Sequence, residues 1–121
     1  MKLLGESLIE IKKSKFIGYY YEINDESEAK EILDKLKENH KKARHIPYAY
    51  KVLSTARKSD DKEPTNTAGL PLYNLLEMRN LNNVLIAVVR YFGGTKLGAS
   101  NLLRAYLDAA KEAINVNEKR V

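Results

Sequence analysis

Three groups of residues in this chain have types and spacings that could do chemistry. The first is the acidic run SDDKEP, which sets Asp60, Asp61 and Glu63 side by side with Thr65 and Thr67 just behind. Clustered carboxylates can hold a hard cation or serve as general acid and base. His45 could join them if folding brings the two segments together. The alternative is a turn in which Asp60 or Asp61 caps backbone amides, which short acidic side chains do well. The spacing fits no named metal motif, since a calcium loop needs more ligands and a central glycine. No metal and no cofactor is therefore expected. The chain has no cysteine, which excludes a zinc–thiolate site and a disulfide framework. No serine or threonine has an evident histidine–carboxylate partner, so nucleophilic catalysis has no support.

The second group is VVRYFGGTKLGASN, Val88 to Asn101, an apolar run that passes through three glycines into a helix-like segment. A phosphate-binding P-loop requires G-x-x-x-x-G-K-[ST], with amides around the phosphates, a lysine on the terminal ones and a hydroxyl on magnesium. Gly93 and Gly98 have that spacing and Ser100 stands where the hydroxyl belongs, but Ala99 follows Gly98 and Lys96 precedes it. The dinucleotide pattern G-x-G-x-x-G fails as well, because Gly93 and Gly94 are adjacent. What remains is a helix start loosened by Gly93, Gly94 and Gly98 and flanked by Arg90, Lys96 and Arg104. Such a start can bind a phosphate or carboxylate. The same glycines could instead serve only a tight strand-to-helix turn.

The third group is basic. KLKENHKKARH, Lys35 to His45, carries Lys41, Lys42 and Arg44 near its end, in a chain of net charge +5. Such an excess favours acidic partners: RNA, DNA or an acidic protein surface. It also suits the solvated C-terminal end of a helix, where cations complement the dipole and His40 would be solvated.

These residues need a scaffold. At 121 residues, with 31% charged and 44% hydrophobic, the chain fits one globular domain over residues 1–121. Glu6 and Glu10 interrupt the apolar N-terminus, so it is neither a signal peptide nor a membrane span. A cytoplasmic protein without membrane partners is expected; the oligomeric state stays open. SLIEIKKSKFIGYYYEI reads as a hairpin turning at Lys12 to Lys15, with Ile17, Tyr19, Tyr21 and Ile23 on one face and Phe16, Gly18 and Tyr20 on the other. A helix follows, capped by Asp25 with Glu28 at capping-box spacing, its apolar stripe Ala29, Ile32, Leu33 and Leu36. Next come a strand, Tyr48 to Leu53, a long loop, Ser54 to Asn66, and a short helix around Pro71. NVLIAVVRYF reads as a central strand buried on both faces. The last helix starts around Gly98 to Ser100 and places Leu103, Tyr106, Leu107, Ala110 and Ile114 along one side. The order β-β-α-β-α-β-α predicts an α+β two-layer sandwich, a mixed sheet of about four strands with helices on one face.

Together KSKF (Lys13 to Phe16), ARH (Ala43 to His45), SDDKEPTNTAG (Ser59 to Gly69) and VVRYFGGTKLGASNLLRAY (Val88 to Tyr106) resemble the N-terminal domain of the IMPACT family, which includes the bacterial YigZ-type proteins. Asp60, Asp61, Glu63, Pro64, Thr67, Ala68 and Gly69 match, as do Arg90, Tyr91, Gly93, Gly94, Leu97, Gly98 and Arg104 to Tyr106. Lys62, Asn66, Ser100 and Asn101 stand where the family commonly has glycine. The resemblance implies a fold similar to the second domain of ribosomal small-subunit protein five, to domain four of elongation factor G and to the ribonuclease P protein. It also implies a role in regulating translation, as in the eukaryotic members. Bacterial members usually carry a second, ferredoxin-like domain, which this chain is expected to lack. The partner expected is RNA or a ribosome-associated protein, met through the basic segment Lys35 to Arg44 (with Lys41, Lys42 and Arg44), His45, Arg57, Lys58, Arg90, Lys96 and Arg104, with Tyr19, Tyr20 or Tyr21 stacking bases if exposed. The alternative is a small enzyme using His45, Asp60, Asp61 and Glu63 beside the glycine loop on a phosphorylated or carboxylated small molecule.

Overall fold

A computed structural model describes residues 1–119. Five strands and three helices follow one another: β1 (Lys2–Ile11), β2 (Ser14–Glu22), α1 (Glu26–Asn39), β3 (Tyr48–Val52), β4 (Thr55–Ser59), α2 (Gly69–Met78), β5 (Val84–Tyr91) and α3 (Ala99–Glu118). β1 and β2 pair through the two-residue turn Lys12–Lys13, both with positive φ, the backbone twist that fits a tight hairpin. α1 starts as its sequence signals. The Asp25 carboxylate accepts the Glu28 N–H at 3.0 Å, and Glu28 accepts the Asn24 N–H at 2.7 Å.

The sheet runs β1-β2-β5-β3-β4, and every neighbouring pair is antiparallel. The α+β class is the expected one, with three particulars changed. There are five strands rather than about four, because TARKS forms an edge strand. Its side chains are exposed or half-buried, so it shows no apolar alternation and reads as loop. The sheet is not mixed, since no pair is parallel.

The helices, finally, occupy both faces. Val84, Ile86 and Val88 of β5 pack with Phe16, Tyr20 and the buried sides of α2 and α3. Leu85, Ala87 and Val89 pack with Ile23 and the α1 stripe Ala29, Ile32, Leu33 and Leu36. A strand apolar at every position needs cover on both sides, and helices on one face could not give it. The buried side of α3 is also turned from the expected one. Leu102, Ala105, Tyr106, Ala109, Ala110, Ala113 and Ile114 face the sheet, while Leu103 is exposed.

Candidate functional site

The acidic segment joins the end of β4 to the start of α2, and its carboxylates divide the work. Ala68, at the N-cap of α2, offers no capping side chain. Asp60 supplies the cap from eight residues upstream: Oδ1 accepts the Ala68 and Gly69 N–H groups at 3.1 and 2.7 Å, and Oδ2 accepts that of Asn66 at 2.9 Å. Asp61 Oδ2 accepts the Ile46 N–H at 2.6 Å. Both aspartates therefore satisfy backbone amides.

Glu63 is different. It is 7% exposed, and its Oε2 accepts from Arg90 Nη1 at 2.6 Å and from the Tyr106 hydroxyl. His45 donates through Nδ1 to the Asp61 carbonyl at 2.7 Å, since a carbonyl can only accept. Its Nε2 lies 3.6 Å from Glu63 Oε1, outside normal hydrogen-bond length. The bridge between His45 and Arg90 holds this arrangement in place, with the Arg90 N–H donating to the His45 carbonyl at 2.9 Å. Burial, reinforced by the bond to Glu63, pushes the Tyr106 hydroxyl far above its usual pKa. Arg90 Nε is buried with no acceptor among the described residues, and an unmade buried hydrogen bond costs about 1–3 kcal/mol. His45 is thus brought beside Glu63, as the sequence allowed, and Arg90, read there only as a flank of the glycine loop, joins them. Tyr106 belongs with them and was read only as a core position.

The glycine loop sits beside this cluster. Gly93 donates its N–H to the buried Ser14 hydroxyl at 3.0 Å, and its backbone lies against the Lys12–Lys13 turn. Gly94 and Gly98 have φ of +98° and +82°. No side chain makes a capping hydrogen bond at the start of α3, and Asn101, in its first turn, donates to the Leu97 carbonyl at 2.8 Å. The first amides of this 20-residue helix therefore present their positive end without a capping carboxylate.

Between the cluster and the loop lies a cleft of about 330 Å³. Arg44, Arg90 and Lys96 line it together with Gly98 and Ala99 at the helix start; Pro64, Phe92, Leu97 and Leu102 form its apolar wall. The Arg44 guanidinium stacks 4.7 Å from the centre of the Phe92 ring. The other cations named from sequence, among them Lys41, Lys42, Arg57, Lys58 and Arg104, are exposed and outside the cleft lining. Among the described residues no group of three or more His, Cys, Asp or Glu is placed to hold a metal ion. Among the described residues no helix is long and apolar enough to cross a membrane.

The tyrosines expected as base platforms are not exposed: Tyr20 is buried, and Tyr19 and Tyr21 are half-buried. Phe92, 38% exposed, is the aromatic at the cleft. His40 is not solvated but half-buried, with Nε2 3.0 Å from the Tyr19 hydroxyl and Nδ1 2.6 Å from that of Tyr91. Burial first, then the charge of Glu6, pushes Tyr19 from 10.0 up to about 12. Tyr20, Tyr21, Tyr50 and Tyr106 move in the same direction. A raised folded-state value favours the protonated hydroxyl, so this stability is whole below pH 10 and is lost as pH rises towards 12. A titration followed by tyrosinate absorbance and circular dichroism is expected to show ionisation and unfolding together in that window. Full ionisation near pH 10 with the fold intact would contradict it.

Comparison with known proteins agrees with the motifs. The Impact N-terminal domain model matches residues 12–114. "IMPACT family member YvyE" of Bacillus subtilis is 40% identical over 118 residues, covering 95% of this chain and 54% of that protein. A solved structure described as "Crystal structure of an hypothetical protein" superposes with a TM-score of 0.88 at 31% identity, over 92% of this chain and 56% of that one. The two-domain translational regulator Yih1 shares the fold with a TM-score of 0.59 at 22% identity, over 94% of this chain and 46% of its own. The chain spans about half the length of the curated relatives it matches. With the domain model matched across most of its length, the chain belongs to the IMPACT family.

Proposed function

We propose that residues 1–121 act as one cytoplasmic, translation-related binding module that takes RNA at the cationic end of the sheet. The observation that carries this reading is the cleft in which Arg44, Arg90 and Lys96 meet the uncapped start of α3. Backbone amides at a helix start and convergent cations are how proteins hold phosphate. Exposed Lys41, Lys42 and Arg104 extend the positive surface beyond it. Kinship with IMPACT proteins, and a fold shared with a translational regulator, support the biological setting.

Titration with single-stranded RNA at two salt concentrations tests the reading. Affinity is expected to fall as salt rises, and Lys96→Ala to reduce the slope of log affinity against log salt by about 0.7. Absence of binding at low salt, or binding indifferent to salt, would overturn it. Capture of a ribosome-associated protein under the same conditions would then redirect the assignment to a protein partner.

One observation favours a second reading, acid–base chemistry on a small phosphorylated or carboxylated substrate: His45 lies 3.6 Å from the buried Glu63 at the cleft. Asp60 and Asp61 contribute little to it, being engaged by backbone amides. Turnover of phosphate esters that disappears in His45→Ala would establish it.

A further inference from the structure

We infer that the cleft at the start of α3 recognises a nucleotide by its terminal phosphate monoester, with the base or sugar against the apolar wall. This rests on the phosphate reading above and narrows it from a charged surface to one chemical group.

The cleft lining is of two kinds. Arg44, Arg90, Lys96 and the start of α3 bring positive charge, with Glu63 among them; Pro64, Phe92, Leu97 and Leu102 are apolar. Inorganic phosphate would leave the apolar wall empty, and a purely apolar ligand would strand the cations. A volume of about 330 Å³ is at the small end of ligand sites. It holds one nucleotide rather than a length of strand.

Charge separates monoester from diester. Glu63 also lines the cleft but is matched by Arg90 at 2.6 Å, which leaves Arg44, Lys96 and the positive helix end in excess. That surplus suits a terminal phosphate, which carries about −1.5 to −2 at neutral pH, better than a backbone diester with one charge.

Arg90 supplies an independent sign of a ligand. It is 6% exposed, lines the cleft and keeps Nε without an acceptor among the described residues. Nε itself is closed to solvent, so a ligand oxygen would supply the missing acceptor only where the lining gives way to it. Phe92, with the Arg44 plane stacked on it, offers a surface on which a base can stack.

Calorimetry with adenosine monophosphate, adenosine and inorganic phosphate tests the inference. The monophosphate is expected to bind at least tenfold more tightly than either fragment. Arg44→Ala and Lys96→Ala are each expected to weaken it about tenfold with unchanged circular dichroism, while Lys30→Ala, on the exposed side of α1, leaves it unchanged. Short RNAs ending in a 5′-phosphate or a 5′-hydroxyl distinguish the sources. Preference for the phosphorylated end identifies an RNA terminus; equal binding of both RNAs with the monophosphate still preferred identifies a free nucleotide. Equal binding of monophosphate, adenosine and phosphate, or no binding of the monophosphate with both RNAs alike, overturns the inference. In that last case, salt-dependent RNA binding would leave the broader reading standing. Conversely, tight monophosphate binding without any RNA binding would remove the RNA reading and keep this one.

Discussion

Replacing Glu63 by alanine is expected to destabilise the fold by about 3–5 kcal/mol, the cost of breaking a buried ion pair from one side. The carboxylate is the shared acceptor for Arg90 and Tyr106, both under 7% exposed. Its loss leaves a buried guanidinium without a counter-charge and a buried hydroxyl without an acceptor. Tyr106→Phe removes donor and bond together and should cost less, about 1 kcal/mol. Removing both charges, as in Glu63→Leu with Arg90→Met, is expected to recover part of the single-variant loss. Urea unfolding of the parent and these three variants measures the differences. A Glu63→Ala protein within about 1 kcal/mol of the parent would show that water replaces the carboxylate.

Gly93→Ala is expected to impair stability and the cleft together. A Cβ there would lie 2.2 Å from the Lys13 carbonyl carbon and 2.4 Å from both the Lys13 oxygen and the Ser14 nitrogen. All three are backbone atoms, so no side chain can rotate away. The end of β5 must separate from the hairpin turn, also loosening the Gly93–Ser14 hydrogen bond. Overpacking of this kind costs about 1–3 kcal/mol or more. Because Phe92 and Lys96 sit on the same loop, phosphate or RNA affinity should fall along with the melting temperature. An alanine protein that melts and binds like the parent would show that the loop is not tied to the hairpin.

Much of the frame was legible because local signals agreed with the tertiary result. Asp25 and Glu28 announced the start of α1, the alternation of Phe16 to Ile23 assigned the two faces of β2, and unbroken apolarity marked β5 as central. That same apolarity already required helices on both faces. β4 was hidden because an exposed edge strand carries no alternation.

Within the site, the aspartates followed their turn-forming chemistry, and the glycine loop did lead into a helix start. What sequence could not supply were pairings across long separations. Tyr106 meets Glu63 over 43 positions and looks like any aromatic on an apolar helix face. Its only signal was a hydroxyl that needs an acceptor when buried. His40 was misread for the same reason, since Tyr91, its partner, is 51 positions away.

One consequence follows from β5 lying between both cores. Each core is built on alternate residues of the same strand, so displacing β5 would disturb both at once. Arg90, buried on that strand and paired with Glu63 at 2.6 Å, is the anvil, with little freedom to follow an incoming group. Lys96 and the Gly94–Gly98 stretch, outside the ladder, are the hammer. On the proposed reading, adjustment of grip falls to the loop rather than to Arg90, which would make selectivity a matter of reach rather than of rearrangement.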